Sequence, residues 1–281
     1  MRTLDAAQVA AAVEAAVPQL ATCIPEDVGR AMACARETES APRARTVLDQ
    51  LCQNHKVAAE GALPLCQDTG TVWACLEVGP DVLVPGNVFS LVDQAVARAY
   101  EQSGLRMSVV RNALFDRTNT ADNTPAFCEV RFTDQEGVAR LHVMLKGGGS
   151  DNASQVSMLV PGSGRQGVVD AVVSRVREKA ANACPPLVVG VGVGATFDKV
   201  AGLSKMALMR PLGQPNPDPR EAEFEQELLE AINATGIGAG ALGGSATALA
   251  VRVKTAPCHI AALPVAVNMG CSALRRTTVE L

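Results

Sequence analysis

Two runs, Ala126-Phe127-Cys128-Glu129-Val130-Arg131-Phe132 and Ala139-Arg140-Leu141-His142-Val143-Met144-Leu145, decide how the fold is read. In each, apolar side chains recur at every second position, with mostly charged or polar ones between (Phe127 and Met144 excepted), which is the period of a strand buried on one face. Between them lies Asp134-Gln135-Glu136-Gly137, a polar connection ending in glycine. The combination predicts a β-hairpin, and so an antiparallel element in the sheet.

Working outward, Thr71-Val72-Trp73-Ala74-Cys75-Leu76-Glu77-Val78 reads as a further strand. Residues 5–60 are helical instead: Ala6, Val9, Ala10, Val13 and Val17 fall at three- and four-residue spacing, as do Val47, Leu48, Leu51 and Cys52. Helices are predicted over 88–101, 167–183, 196–209 and 221–234, and strands over 187–193, 247–254 and 260–267. Residues 211–219, with four prolines, form an extended loop. Helices and strands mix without strict β-α-β alternation. The expectation is an α+β fold: a single domain over residues 1–281, a mixed or antiparallel sheet with flanking helices, and a helical lead-in to residue 60.

Hydrophobic residues make up 48 % of the 281, so a large core is affordable, but aromatics are 3 %, so it must be built from Ala, Val and Leu. A net charge of −4 and a pI near 5.5 offer no basic surface to nucleic acid or to an anionic membrane. No apolar run reaches the roughly 18 residues that cross a bilayer. The first twenty residues interleave Ala and Val with Asp5, Gln8, Glu14 and Gln19, unlike a signal peptide. They read as an amphipathic helix of the mature chain, and the expected location is the cytoplasm.

The nine cysteines are odd in number and contain no C-x-x-C, which argues against a disulfide framework. Most read as small buried core residues. Cys66, Cys184 and Cys271 differ: each sits at the boundary of an element, where ligands are presented, whereas Cys52, Cys75 and Cys128 lie inside elements. Cys66 belongs to Leu65-Cys66-Gln67-Asp68-Thr69-Gly70, a polar loop before the first strand. Two other stretches are polar and flexible in composition. Residues 117–125 are too polar for a core and too long for a simple connection. Lys146-Gly147-Gly148-Gly149-Ser150 can bring backbone N–H groups close to an anion.

Taken in order, Pro64-Leu65-Cys66-Gln67-Asp68-Thr69-Gly70, Leu105-Arg106-Met107-Ser108, Asn119-Thr120-Ala121-Asp122-Asn123-Thr124-Pro125-Ala126, Lys146-Gly147-Gly148-Gly149-Ser150, Cys184-Pro185-Pro186, and His259 with Leu263-Pro264-Val265 and Cys271 resemble the α part of the iron–sulfur (class I) fumarate hydratases and L-tartrate dehydratases. The resemblance runs from about residue 60 to 276. It implies a [4Fe–4S] cluster held by Cys66, Cys184 and Cys271, with one iron left open to substrate. It implies Gln67, Asp68, Arg106, Gly149 and His259 around a small dicarboxylate, with Asp68 and His259 as acid/base candidates or orienters of the base. Arg106 suits bidentate carboxylate binding. Lys146 either places the glycine loop or caps it.

In single-chain relatives a β part follows, and nothing here matches it. The expected function is therefore that of the α subunit of a hetero-oligomeric hydro-lyase, hydrating fumarate to (S)-malate, a reaction of the tricarboxylic acid cycle, with a separate β subunit completing the site. L-tartrate dehydration is the alternative within the family. Outside it stand three others. One is a non-catalytic scaffold subunit with buried cysteines. Another is a zinc site from three Cys and His259. The third is a nucleotide-binding oxidoreductase built on Gly190-Val191-Gly192-Val193-Gly194-Ala195, which lacks the second strand and acidic residue that such a fingerprint needs.

Overall fold

The computed structural model describes residues 2–281, so Met1, the first residue of the N-terminal stretch read as helix, lies outside the described residues. In chain order the elements are β1 (Arg2–Thr3), α1 (Ala6–Thr22), α2 (Glu26–Thr38), α3 (Pro42–Gly61), β2 (Thr71–Val78), β3 (Val82–Leu83), α4 (Val92–Gln102), β4 (Phe127–Phe132), β5 (Ala139–Lys146), α5 (Gly148–Asn152), β6 (Gln155–Leu159), α6 (Gly164–Lys179), β7 (Leu187–Ala195), α7 (Phe197–Met209), α8 (Pro219–Asn233), β8 (Ala248–Cys258), β9 (Leu263–Gly270) and β10 (Arg275–Glu280). The chain divides into two compact units. One comprises Met1–Pro25, His55–Gly148 and Arg275–Leu281; the other comprises Glu26–Asn54 and Gly149–Leu274. Both carry mixed sheets flanked by helices, and the lead-in is helical, as the α+β reading expects.

In the first unit the sheet runs β10-β5-β2-β4. α1 starts on a capping box: the Gln8 amide donates to Asp5 Oδ1 at 2.9 Å and the Asp5 amide to Gln8 Oε1 at 3.1 Å. Its Val9, Val13, Val17 and Leu20 share a core with Val96 and Tyr100 of α4, with Val72, Ala74 and Leu76 of β2, and with Leu141, Val143 and Leu145 of β5. The even residues of β2 and the odd residues of β5 thus face the helices, as their alternation requires.

Two expectations need correction here. An 18-residue segment within Ala6–Thr38 reaches a mean hydropathy of 1.3, enough in length and composition to cross a bilayer. The residues responsible are small aliphatics of α1, and one side of that helix is spent on the core just described. The hairpin is also not formed. β4 pairs with β2 in parallel, from Trp73↔Phe127 to Val78↔Phe132, and β5 pairs with β2 antiparallel, so β2 lies between the two strands expected to pair. The polar connection crosses the end of β2 instead: Thr133 donates to the Val78 carbonyl, Gly79 to that of Val138, and Gly137 to Asp81 Oδ1 at 2.7 Å. β2, buried at six of its eight positions, is the natural central strand.

The second unit is organised on β7, which pairs in parallel with β8 and antiparallel with β9, in the order β6-β9-β7-β8. Helix α7 lies directly on β7, and a Cβ at Gly190 or Gly192 would collide with the carbonyls of Ser204 or Val200. Those glycines sit inside the strand and serve close helix approach, which removes the dinucleotide reading. Glu39, after α2, accepts hydrogen bonds from the amides of Ala41, Ser245 and Ala246 and from the Ser245 hydroxyl. Burial works against its charge, but these donors outweigh it and hold the carboxyl below its ordinary pKa.

Candidate functional site

In the first unit the loop before β2 is fixed from all sides. Leu65 is buried and its amide donates to the Ala21 carbonyl at 2.8 Å. Asp68 is the organising side chain: Oδ1 accepts from the Gly70 amide at 3.0 Å and Oδ2 from the Gly148 amide at 2.8 Å. The carboxylate therefore joins the cysteine loop to the start of the glycine loop. The Asp68 amide in turn donates to Cys66 Sγ, 3.4 Å away. Gly70 has φ +85°, and its bare Cα lies against the Lys146 backbone, where any Cβ would be 2.9 Å from three backbone atoms.

Arg106 is tied to the same loop through its backbone: Thr69 Oγ1 donates to the Arg106 carbonyl at 2.5 Å. Its guanidinium is exposed and makes no ion pair among the described residues. Gln67 is exposed beside Cys66, its Oε1 3.2 Å from the thiol. The structure thus gathers Cys66, Gln67, Asp68 and Arg106 around one loop.

Three residues that the sequence did not single out hold this loop. Tyr100 is fully buried and its hydroxyl is shared between the carbonyls of Thr69 and Gly70. Burial pushes its pKa up to about 12, so it stays a neutral donor. Asn123, also fully buried, donates to the Gly70 carbonyl and accepts from the Ser108 amide at 2.7 Å. Arg275, 1 % exposed, has Nε and Nη1 without a hydrogen-bond partner, and its Nη2 and the Asp68 carboxylate both border Gly147. A lone tyrosine in the chain, the place of Asn123 inside the 119–126 motif and an unexplained Arg275-Arg276 pair were the signals available.

In the second unit Cys184 and Cys271 come together. Cys184 precedes β7, Cys271 follows β9, and the antiparallel pair Val188↔Gly270 puts those two ends side by side. The Ser272 amide donates to the Cys184 carbonyl at 3.0 Å. Cys184 is exposed and takes the left-handed conformation, φ +54°, which turns the chain sharply out of the preceding helix. Gly149 belongs to the same corner, since a Cβ there would stand 3.0 Å from the Asn182 carbonyl. His259 does not. It lies in the turn between β8 and β9, exposed, its Nδ1 accepting from the Ala261 amide. At about 3.3 Å per residue, β9 sets it roughly 25 Å or more from Cys271.

Among the described residues no group of three or more His, Cys, Asp or Glu side chains is gathered as a metal site. None of the nine cysteines forms a disulfide. Their chemistry separates them. Burial pushes Cys75 and Cys128 up to about 12, so inside their strands they remain protonated and inert. Cys66 and Cys271 are half-buried and Cys184 exposed, at element ends; but Cys23 and Cys52 are half-buried and Cys34 and Cys258 exposed too. The expectation that most cysteines are buried core residues is therefore corrected, and position, not exposure, sets the three apart. In donor chemistry the set fits an iron–sulfur group, with Cys66 in one unit and the other two in the second.

Residues 10–280 match the family model described as fumarate hydratase (Fumerase). The chain belongs to this family. Among its relatives, a putative L(+)-tartrate dehydratase subunit alpha of Methanocaldococcus jannaschii is 36 % identical over 263 residues, 92 % of each chain. The L(+)-tartrate dehydratase subunit alpha of Escherichia coli UTI89 is 32 % identical over 265 residues, 93 % of this chain and 87 % of the relative. That of strain K12 is 32 % identical over 263 residues, 92 % and 86 %. Dehydratases are hydro-lyases, and both names are those of an alpha subunit.

Proposed function

We propose that this chain is the α subunit of an iron–sulfur hydro-lyase that moves water on and off a four-carbon diacid, its site completed by a separate β chain. The first substrate reading is fumarate, hydrated to (S)-malate. L-tartrate is the second, favoured by the names of the relatives above. The observation that carries the proposal is the corner where Cys184 and Cys271 meet, closed by the Ser272-to-Cys184 hydrogen bond and distant from any core role for either thiol.

Cys66, Cys184 and Cys271 would hold a [4Fe–4S] group. Bound by three thiolates, such a group supplies an open iron that acts as a Lewis acid toward a hydroxyl. The chain's own residues supply the rest. Arg106, exposed and unpaired, takes one carboxylate of the diacid through two parallel N–H bonds. The Gln67 amide and the Gly149 N–H add donors that fix its orientation. Asp68 holds or moves the proton that travels with the leaving water. Its two oxygens each accept one backbone N–H, which fixes the carboxylate in place and leaves a second lone pair on each. His259, at the far end of β9, is given no step. The base that takes the carbon-bound proton is assigned to the β chain.

The test is anaerobic co-expression with a candidate β-type chain from the same genome, followed by iron and sulfide analysis and assays on fumarate, (S)-malate and L-tartrate in parallel. Brown protein that turns over one diacid supports the proposal and settles the substrate. Colourless, iron-free protein inactive on all three overturns it in favour of the scaffold reading, and zinc in place of iron overturns the cluster.

A further inference from the structure

Residues 107–120 form an arm whose base is seated, with Met107 against the core and Val109 buried, and whose outer part stands clear of the body. Residues 111–119 are all exposed, yet the arm is ordered by its own hydrogen bonds. Arg111 donates to the Thr118 carbonyl, Thr120 to that of Val109, and Asn112 to that of Asp116. At the tip, Asn112 Oδ1 accepts the amides of both Leu114 and Phe115, at 2.9 and 2.8 Å, and Arg117 Nη1 donates to the Ala113 carbonyl. This framework holds two large apolar side chains out in water, Leu114 at 75 % and Phe115 at 88 % exposure. Hydrophobic side chains on a rigid polar stalk are what a binding anchor requires, because little ordering is left to be done on contact.

The arm grows directly from the candidate site. Its base is fastened to the Cys66 loop by the Thr69 bond to the Arg106 carbonyl and by Asn123, which bridges Gly70 and Ser108. Its charges are one-sided: Arg106, Arg111 and Arg117 form no ion pair among the described residues, against a single acid, Asp116, that is held ionised by Thr118. A two-fold contact between tips of two copies would bring these arginines together at the axis. A different chain avoids that repulsion.

We infer that the 107–120 arm is the docking element for the β chain, with Leu114 and Phe115 entering an apolar pocket of that chain bordered by carboxylates. The inference rests on the two-chain reading above and deepens it by naming the surface. Because the arm springs from the loop of Cys66 and Asp68, a chain that seizes its tip stands beside the residues it is needed to complete.

The experiment is sedimentation velocity on the co-expressed α and β chains, comparing wild type with Leu114→Ser/Phe115→Ser and, separately, Arg111→Glu. Both sites are exposed, and matching circular-dichroism melts confirm that the variants fold. The expected result is at least a tenfold rise in Kd for the double variant and a smaller rise, reduced by added salt, for Arg111→Glu. A double variant that binds the β chain within threefold of wild type overturns the inference, as does a loss seen only in self-association of the α chain. Wild-type α that binds no β chain overturns both this inference and the two-chain reading. A complex that depends on the tip but turns over no diacid overturns the proposed reaction alone.

Discussion

The amide of Ser272 donates to the carbonyl of Cys184 at 3.0 Å, joining the residue after one proposed ligand to another proposed ligand 88 positions before it in the chain. A backbone bond of this kind fixes the two loops whether or not the thiols carry anything. The ligand assignment can therefore be tested by thiol removal without collapsing the corner. Cys66→Ala, Cys184→Ala and Cys271→Ala should each lose most of the iron and sulfide found anaerobically in wild type. Cys34→Ala, on the exposed face of α2, should keep the wild-type content. Equal iron in all four variants would refute the assignment.

Asp68 offers a sharper test of mechanism. Replacing it with Asn keeps the shape but presents an NH₂ group to one of two backbone donors, Gly70 or Gly148. The site should lose roughly 10²–10⁴-fold in kcat, the usual worth of a positioned proton-transfer group. One orphaned amide should also cost about 1–3 kcal/mol in stability. Thermal melts and steady-state kinetics on the same preparation separate the two effects. A variant that loses stability but keeps kcat would leave Asp68 a purely structural tie.

Arg106 is the reverse case, since its side chain holds no other part of the protein and only its carbonyl does structural work. Arg106→Ala should leave the melting temperature and iron content unchanged. Loss of a bidentate carboxylate contact worth about 1.5–3 kcal/mol should lower kcat/KM by roughly ten- to a hundredfold. Unchanged kinetics would count against its role as the clamp.

The sequence made some of this legible and hid the rest for physical reasons. Strand β2 was readable to the residue because its composition alone marks it as strand, and the helices of the lead-in were readable from spacing. Partner choice was not. The run 126–132 has the right period for pairing with 139–145, but period says nothing about which third strand intervenes, and β2 does. β6 and β10 went unread because short strands at the end of a glycine loop or the chain carry little pattern. The unit boundaries were invisible, since two of them fall within α3 and α5 and the other two in short connections no longer than an ordinary turn. Element boundaries set Cys66, Cys184 and Cys271 apart in the sequence, and only the family motifs gave them the ligand role proposed above. Tyr100 and Arg275 hold the site by burial, which no short motif reports, whereas Asn123 lay inside the 119–126 motif with its role unread.

Glu225 anchors the second unit through a buried network. It pairs with Arg210 and, at 3.3 Å, with Arg252, and its Oε1 also accepts from the Val253 amide at 2.7 Å and from Asn216 at 2.9 Å. All three charged side chains are largely buried. Removing the single acid would strand two guanidinium groups out of water, so Glu225→Ala should destabilise by about 3–5 kcal/mol. Denaturant titration measures this. A loss below about 1 kcal/mol would mean that water enters and solvates the arginines.

Acid sensitivity should begin with two histidines rather than with the carboxylates. His55 and His142 are buried, and each leaves Nε2 without a hydrogen bond. Burial lowers the pKa of both; near His142 the Glu77 carboxylate opposes the shift only in part. The folded chain therefore keeps them neutral at a pH where the unfolded chain, with histidine near 6.5, has begun to bind protons. The unfolded state then carries more protons, and stability falls as pH drops below about 6.5 towards the depressed folded values, by up to ~1.4 kcal/mol per pH unit for each group. Melting temperatures at pH 7.5, 6.5 and 5.5 should decline in that order. His55→Gln and His142→Gln should each flatten the decline, even where they lower the melting temperature overall. A pH profile as steep in both variants as in wild type would move the cause elsewhere, to carboxylates such as Glu39 and Asp122, whose lowered values place their own loss at more acidic pH.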